Sequence, residues 1–270
     1  MNIGIIGTGF VGYHLYQNLK DNHDCLCSVK SKESFDRLTK INVPTTILNS
    51  SDPDSINIFI DRDILVISVA AKNEDYNSTY LNLAKNIHQA YKNFLHLKQI
   101  IVISSTSVYL ENKGNLVTED SPLNFHEEKP KILIETENTY LNLKKFGIKV
   151  CILRLGEIYG SERYLKSKLQ KIQNQNIPGD GTQFANLIHI EDITNAINFA
   201  ISSNLDGIFN LVCDDHPTRK ALYETLSKKY NYHIPLFRPD LLSYHGKSKI
   251  VSNQKIKSLG LNLVHPHIVF

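Results

Sequence analysis

Short apolar runs alternate along most of the chain with longer stretches in which apolar residues recur every third or fourth position. The short runs predict buried strands, and the longer stretches predict amphipathic helices. Residues 2–6, 25–29, 45–48, 64–70, 99–104, 149–155 and 207–212 supply seven strands. The fourth is apolar on both faces, and the fifth carries Ile100, Ile101, Val102 and Ile103 at its centre, as parallel strands covered on both sides require. Val11, Leu15 and Leu19 mark a first helix, and Leu83, Ile87, Ala90 and Phe94 form one side of a long helix over 76–97. Three more helices are predicted at 130–146, 163–174 and 191–202, with a Pro178-Gly179-Asp180-Gly181 turn. Residues 110–129 read as a polar loop, and the chain from Asp214 as helical pieces and loops. This alternation predicts an α/β fold, a doubly wound parallel Rossmann sheet of about seven strands with a small C-terminal lobe. The core is expected over 1–155 with 187–213 returning to it, and the second lobe over 156–186 and 214–270.

The first strand runs into Gly7-Thr8-Gly9-Phe10-Val11-Gly12, and the first helix follows at once. Strand, glycine-rich turn and helix together give the G-x-G-x-x-G pattern the context of a dinucleotide site. The first glycine allows the tight turn, the second lets backbone approach a pyrophosphate, and the third lets helix and strand pack closely. The helix N-terminus adds N–H groups and the positive end of its dipole. NAD sites usually place a carboxylate at the end of the second strand, about 20 residues beyond the glycines, to hold the ribose hydroxyls. Here that place reads Lys30-Ser31-Lys32, with no carboxylate before Glu33, so NADP is favoured over NAD.

Composition changes this picture little. A chain of 270 residues can bury a full core, and 41% hydrophobic with 21% charged residues is ordinary for a globular protein. The net charge of +3 comes from scattered lysines, which gives nucleic acid no patch to bind. The longest apolar run falls far short of a membrane span, so no membrane partner is expected. Cys25, Cys27, Cys151 and Cys213 lie in or beside apolar runs without zinc or C-x-x-C spacing, so no metal is expected. The first residues form a strand rather than the basic start of a signal peptide, and the cytoplasm is the expected compartment.

Past the fifth strand the chain reads Ser104-Ser105-Thr106-Ser107-Val108-Tyr109. In order there follow Leu153-Arg154-Leu155-Gly156-Glu157-Ile158-Tyr159-Gly160, then Ile188-His189-Ile190-Glu191-Asp192, then Gly207-Ile208-Phe209-Asn210-Leu211. This ordered set resembles the extended and atypical short-chain dehydrogenases/reductases, the superfamily of sugar-nucleotide epimerases and dehydratases. The resemblance spans nearly the whole chain. It implies that Ser105 takes the place of the catalytic hydroxyl, at the strand end where ligands bind in such sheets. It also places Val69, Ala70, Gly156 and Ile158 against the cofactor, and Tyr109, Tyr159, Arg163, Asn186 and His189 on the substrate side.

The family's Tyr-x-x-x-Lys pair is where the chain departs. In the helix after the fifth strand, Lys131 takes the lysine place with Glu135 as the acid that follows, which leaves Glu127 where the tyrosine belongs. Tyr140 and Lys144 have the same spacing but lie too near the helix C-terminus, where the tyrosine should pack against the sheet. The resemblance implies an NADP- or NAD-dependent epimerase, dehydratase or reductase acting on a sugar nucleotide or similar small polar carbonyl or hydroxyl compound. Its partner would be that small molecule, and the chain a monomer or homodimer. The missing tyrosine leaves open a non-catalytic dinucleotide sensor, or non-redox chemistry by another group.

Overall fold

The computed structural model describes residues 1–50, 52–71, 75–111, 113–241 and 248–270. Their strands are β1 (Asn2–Ile6), β2 (Asp24–Val29), β3 (Thr45–Ile47), β4 (Ile64–Ile67), β5 (Gln99–Ser105), β6 (Lys113–Val117), β7 (Lys149–Leu155), β8 (Glu157–Tyr159), β9 (Asn176–Pro178), β10 (Leu187–His189), β11 (Gly207–Leu211), β12 (Leu236–Arg238) and β13 (Ser248–Val251). Their α-helices are α1 (Phe10–Leu19), α2 (Lys32–Thr39), α3 (Leu83–Ala90), α4 (Glu128–Leu141), α5 (Leu165–Ile172), α6 (Ile190–Ser202), α7 (Arg219–Tyr230) and α8 (Gln254–Ser258). Among these residues seven strands form one sheet in the order β11-β7-β5-β4-β1-β2-β3. The pairings from β5 through β4 and β1 to β2 and β3 are parallel. Strand order reverses beside β1, which makes the ends of β1 and β4 the crevice of a doubly wound Rossmann sheet.

The chain divides into two compact units. The first comprises Met1–Val108, Leu123–Arg154 and Ala196–Phe209, and the second Tyr109–Pro122, Leu155–Asn195 and Asn210–Phe270. Residues 109–122 thus belong to the second unit, and the segment that returns to the first is 196–209. In the first unit Ile6, Phe59, Leu65, Ile87, Ile100 and Ile152 are among the buried core residues that pack around β1, β4, β5 and β7. Buried Gln99 ties β5 to the end of α6 by donating 2.9 Å hydrogen bonds to the carbonyls of Ala200 and Leu205. In the second unit Tyr159, Leu165, Leu169, Leu187, Leu222 and Leu226 form a separate core.

Several elements differ from the sequence pattern. The predicted fourth strand over 64–70 stops at Ile67, because Ser68 turns its hydroxyl onto the Gly7 carbonyl at 2.7 Å. The predicted long helix over 76–97 is a π-helical turn, Asn77–Asn82, continued by α3 and a short 3₁₀ turn at Tyr91–Asn93. Beyond it the Leu95 amide is held by the Ile60 carbonyl at 2.9 Å, so the helix cannot continue. The predicted polar loop 110–129 contains β6, which pairs in parallel with β13. Its pattern is weak because Gly114 sits at φ 90° and Leu116 is exposed. The stretch after Asp214 contains β12 and β13 as well as helices, and its residues 242–247 lie outside the described residues.

Candidate functional site

The turn after β1 is shaped by its glycines in three different ways. Gly7 has φ 95°, and a Cβ there would lie 2.7 Å from the Val69 amide nitrogen. At Gly12 a Cβ would lie 2.4 Å from the Gly7 carbonyl oxygen and 2.8 Å from the Ser68 hydroxyl. Both positions are therefore demanded by the fold itself. Gly9 differs: its φ is −84°, and a Cβ there would meet nothing within 4 Å among the described residues. The fold leaves open space at the position where the second glycine of a dinucleotide turn admits the pyrophosphate. The N-cap residue Gly9 offers α1 no side-chain cap, and the first turn carries no acid, so neither offsets the positive dipole end. Thr8 is buried, with its amide donating to the Ser28 carbonyl at 2.8 Å, while Phe10 packs on His14 and Val11 is buried.

At the end of β2, Ser31 caps α2 by accepting from the Ser34 amide at 3.2 Å. Lys32 pairs with Asp36 at 2.9 Å, and its ammonium lies 4.6 Å from the Phe35 ring centre. Lys30 is exposed at the strand end. Along the neighbouring lip, Val69 adjoins Gly7, Ala70 is exposed, and the Ala71 amide donates to the Tyr80 hydroxyl at 3.2 Å.

Ser105 ends β5 half-buried, with its Oγ accepting from the Ser107 amide at 3.1 Å. The preceding Ser104 donates to Glu137 at 2.5 Å. Glu137 in turn holds Arg154, with Nη2 to Oε2 at 2.7 Å and Nε bonded to both carboxylate oxygens. Both side chains of this ion pair are buried, 3% and 1% exposed. A small pocket at this end of the sheet is lined by Val69, Tyr80, Ser104, Leu133, Thr136 and Tyr140, among others.

Glu127 and Lys131 both stand exposed at the start of α4. Glu127 precedes α4 in extended conformation and is exposed. The Lys131 side chain is 55% exposed and lies 4.0 Å from Glu135 on the outward face. The α4 face that lines the pocket carries Leu133, Thr136, Glu137 and Tyr140, and residues two positions from Leu133 point away from it. The acid turned inward is Glu137, not Glu135, and spacing alone gave no sign of that rotation. Tyr140 is fully buried in the core, and burial pushes its phenol far above the usual range. Among the described residues its hydroxyl has no hydrogen-bond partner.

In the second unit the predicted substrate residues have mainly structural surroundings. Tyr109 is fully buried and donates to Asn210 Oδ1 at 2.6 Å, which leaves it no face for a substrate. Asn186 donates to the Lys249 carbonyl at 2.9 Å, accepts from the Val251 amide at 2.9 Å and meets His216 Nδ1 at 3.0 Å. Tyr159 accepts from the Val269 amide at 3.1 Å, and burial pushes its phenol up to about 12. Its ring meets His189 edge-on at 5.1 Å, and His189 packs on Gly160, where a Cβ would lie 2.2 Å from Nε2. His189 accepts at Nδ1 from the Glu191 amide at 3.3 Å, and burial lowers its pKa. Gly156 lets β8 approach the Asn186 carbonyl, which a Cβ would meet at 2.4 Å. Ile158 lies in β8 opposite Ile188, and Arg163 is exposed after a tight backbone bridge to Gly160.

Two clusters escaped the sequence reading because their members lie far apart in the chain. Glu157 accepts from Lys168 and, at 3.1 Å, from Arg219; burial opposes its charge, but the two cations hold its carboxyl below the usual range. Buried Asp192 accepts from the amides of Val264 and His265 at 2.6 and 3.2 Å, and His265 meets Glu191 at 2.7 Å.

No helix among the described residues is long and apolar enough to cross a membrane. A model of the NAD dependent epimerase/dehydratase family matches residues 5–211. Protein YeeZ of Escherichia coli K12 is 27% identical over 274 residues, covering 98% of this chain and 96% of that protein. The UDP-glucuronic acid 4-epimerase of Bacillus cereus, solved with NAD, is 19% identical with a TM-score of 0.78, covering 96% and 92% of the two chains. The dTDP-glucose 4,6-dehydratase of Bacillus anthracis, solved with NAD, is 16% identical with a TM-score of 0.83, covering 98% and 92%. These structural likenesses carry the fold.

Proposed function

The chain belongs to the NAD dependent epimerase/dehydratase family, and on that premise we propose that it binds NADP or NAD along the crevice at β1 and acts on a small polar carbonyl or hydroxyl compound, a nucleotide sugar or a substrate of similar chemistry. The observation that carries the reading is Gly9. Gly7 and Gly12 are required by packing, whereas no described residue needs the room beside Gly9. An anionic pyrophosphate there would take N–H groups from the start of α1 and the positive end of its dipole. The bound nucleotide supplies hydride transfer. Ser105, at the end of β5, is the hydroxyl that orients the reacting oxygen by donating to it. Lys30 supports the preference for NADP, because Ser31 and Lys32 are already engaged within α2. The NAD seen in the Bacillus enzymes keeps NAD as the alternative cofactor.

A second reading has its own support. Leu133 fills the inward face of α4 beside the pocket, where an ammonium or phenol would be needed for ordinary alcohol redox chemistry. That favours a protein that binds the dinucleotide as a signal. The two readings part in one experiment, which follows NADPH fluorescence on binding and then turnover of UDP- and dTDP-sugars. The proposal expects binding that is lost in Gly9→Asp, with the variant still folded, and turnover that falls on the order of 100-fold in Ser105→Ala. Unchanged affinity in a folded Gly9→Asp protein would remove the glycine turn from the site. Tight binding without turnover of any tested sugar nucleotide would favour the sensor.

A further inference from the structure

We propose that Lys129, not Lys131, is the cation that α4 brings to the bound dinucleotide, donating to the ribose or phosphate oxygens of its non-adenosine half. The inference rests on the dinucleotide reading above. Its first support is the rotation of α4. Glu137 is locked inward by Arg154 and by Ser104 at the end of β5, so the helix cannot turn about its axis without burying an unpaired charge. At about 100° per residue, Lys129 lies roughly 30° from the mean direction of the pocket-lining Leu133, Thr136, Glu137 and Tyr140. By the same count Lys131 lies about 170° away, on the opposite side of the helix. The Lys131 contact with Glu135 agrees with that outward direction.

A chain of contacts gives the second support, running from the glycine turn to Lys129 without leaving the first unit. Gly7 abuts the backbone of Val69. Two residues on, the Ala71 amide donates to Tyr80, whose ring packs against Tyr76 at 5.2 Å. The Lys129 ammonium stands 5.3 Å from the centre of the Tyr76 ring. Lys129 therefore belongs to the same lip of the crevice as the phosphate-binding turn, on the side of β4 and β5. Lys30 and the capped start of α2 lie on the other side, at β2. The tyrosine face steadies an exposed ammonium only weakly, so the side chain stays able to reach a ligand.

Lysine acetylation of the intact protein, read by mass spectrometry with and without saturating NADPH, tests the assignment. NADPH should protect Lys129 and leave Lys131 as reactive as before. Lys129→Met should weaken NADPH about tenfold or more, the range of one charge-assisted hydrogen bond, while Lys129→Arg keeps most of the affinity. Lys131→Met should bind within about twofold of wild type, as an exposed outward residue does. Both positions are exposed, so these variants should fold; their far-UV spectra and melting points check that. A wild-type protein that binds no NADPH overturns the dinucleotide premise. Binding that is unchanged in Lys129→Met, or protection of Lys131 instead, overturns this inference alone.

Discussion

Gly12 and Gly9 stand three residues apart in one motif and answer to different constraints. An alanine at Gly12 would drive its Cβ to 2.4 Å from the Gly7 carbonyl, a backbone atom that cannot swing aside. Overpacking of that kind typically costs about 1–3 kcal/mol. Gly12→Ala should therefore lower the unfolding free energy measured by urea denaturation by that amount, and Gly9→Ala should leave it within about 0.5 kcal/mol, the usual range where no packing is disturbed. Equal stability losses at the two sites would mean that Gly9 also serves packing, and its value as a marker of the ligand would vanish. Ser31 makes the complementary point. Its hydroxyl fits a phosphate on chemistry alone, but the structure gives it a partner in the Ser34 amide.

At the scale of elements, strands with apolar residues on both faces were legible because parallel strands in a covered sheet leave no other pattern. The glycine turn was legible because its three glycines fall at fixed spacing within one strand–turn–helix unit. The rotation of α4 was not. Motif spacing selects Lys131 and Glu135, a pair four apart, but any pair four apart shares a face, and spacing does not say which face is inside. That is decided by a contact 17 positions along the chain, Arg154 on β7 with Glu137. β6 was hidden likewise, since its partner β13 is remote in sequence and its own residues are largely exposed. If the Glu137–Arg154 pair fixes α4, Arg154→Met should leave a buried carboxylate without its cation and cost about 3–5 kcal/mol. Chemical denaturation measures this directly. A loss below about 1 kcal/mol would show that α4 is held by its apolar face alone.

For the molecule as a whole, the histidines set how stability responds to mild acid. Burial lowers the pKa of His189 and of His216, the first helped by nearby His265, and burial also lowers His23. A histidine whose folded pKa lies below its unfolded value of about 6.5 takes up its proton more readily when the chain unfolds. Its contribution is therefore fully present above about pH 6.5 and is lost as pH falls towards the lowered folded value. His267 works in the opposite sense, because its hydrogen bond to Asp215 raises its pKa. Its ring is largely exposed, so solvent screens that contribution and the less exposed His189, His216 and His23 should prevail. The carboxylates enter later: Glu157, Asp214 and Asp215 are held low and give up stability only in stronger acid. The melting temperature should thus fall steadily from pH 7.5 to pH 5.5 at constant ionic strength. In His216→Gln the amide can still donate to Asn186 but takes up no proton, so the same fall should be shallower. A profile that is flat or rising over that window, or one that His216→Gln leaves unchanged in slope, would show that these imidazoles do not govern the acid response.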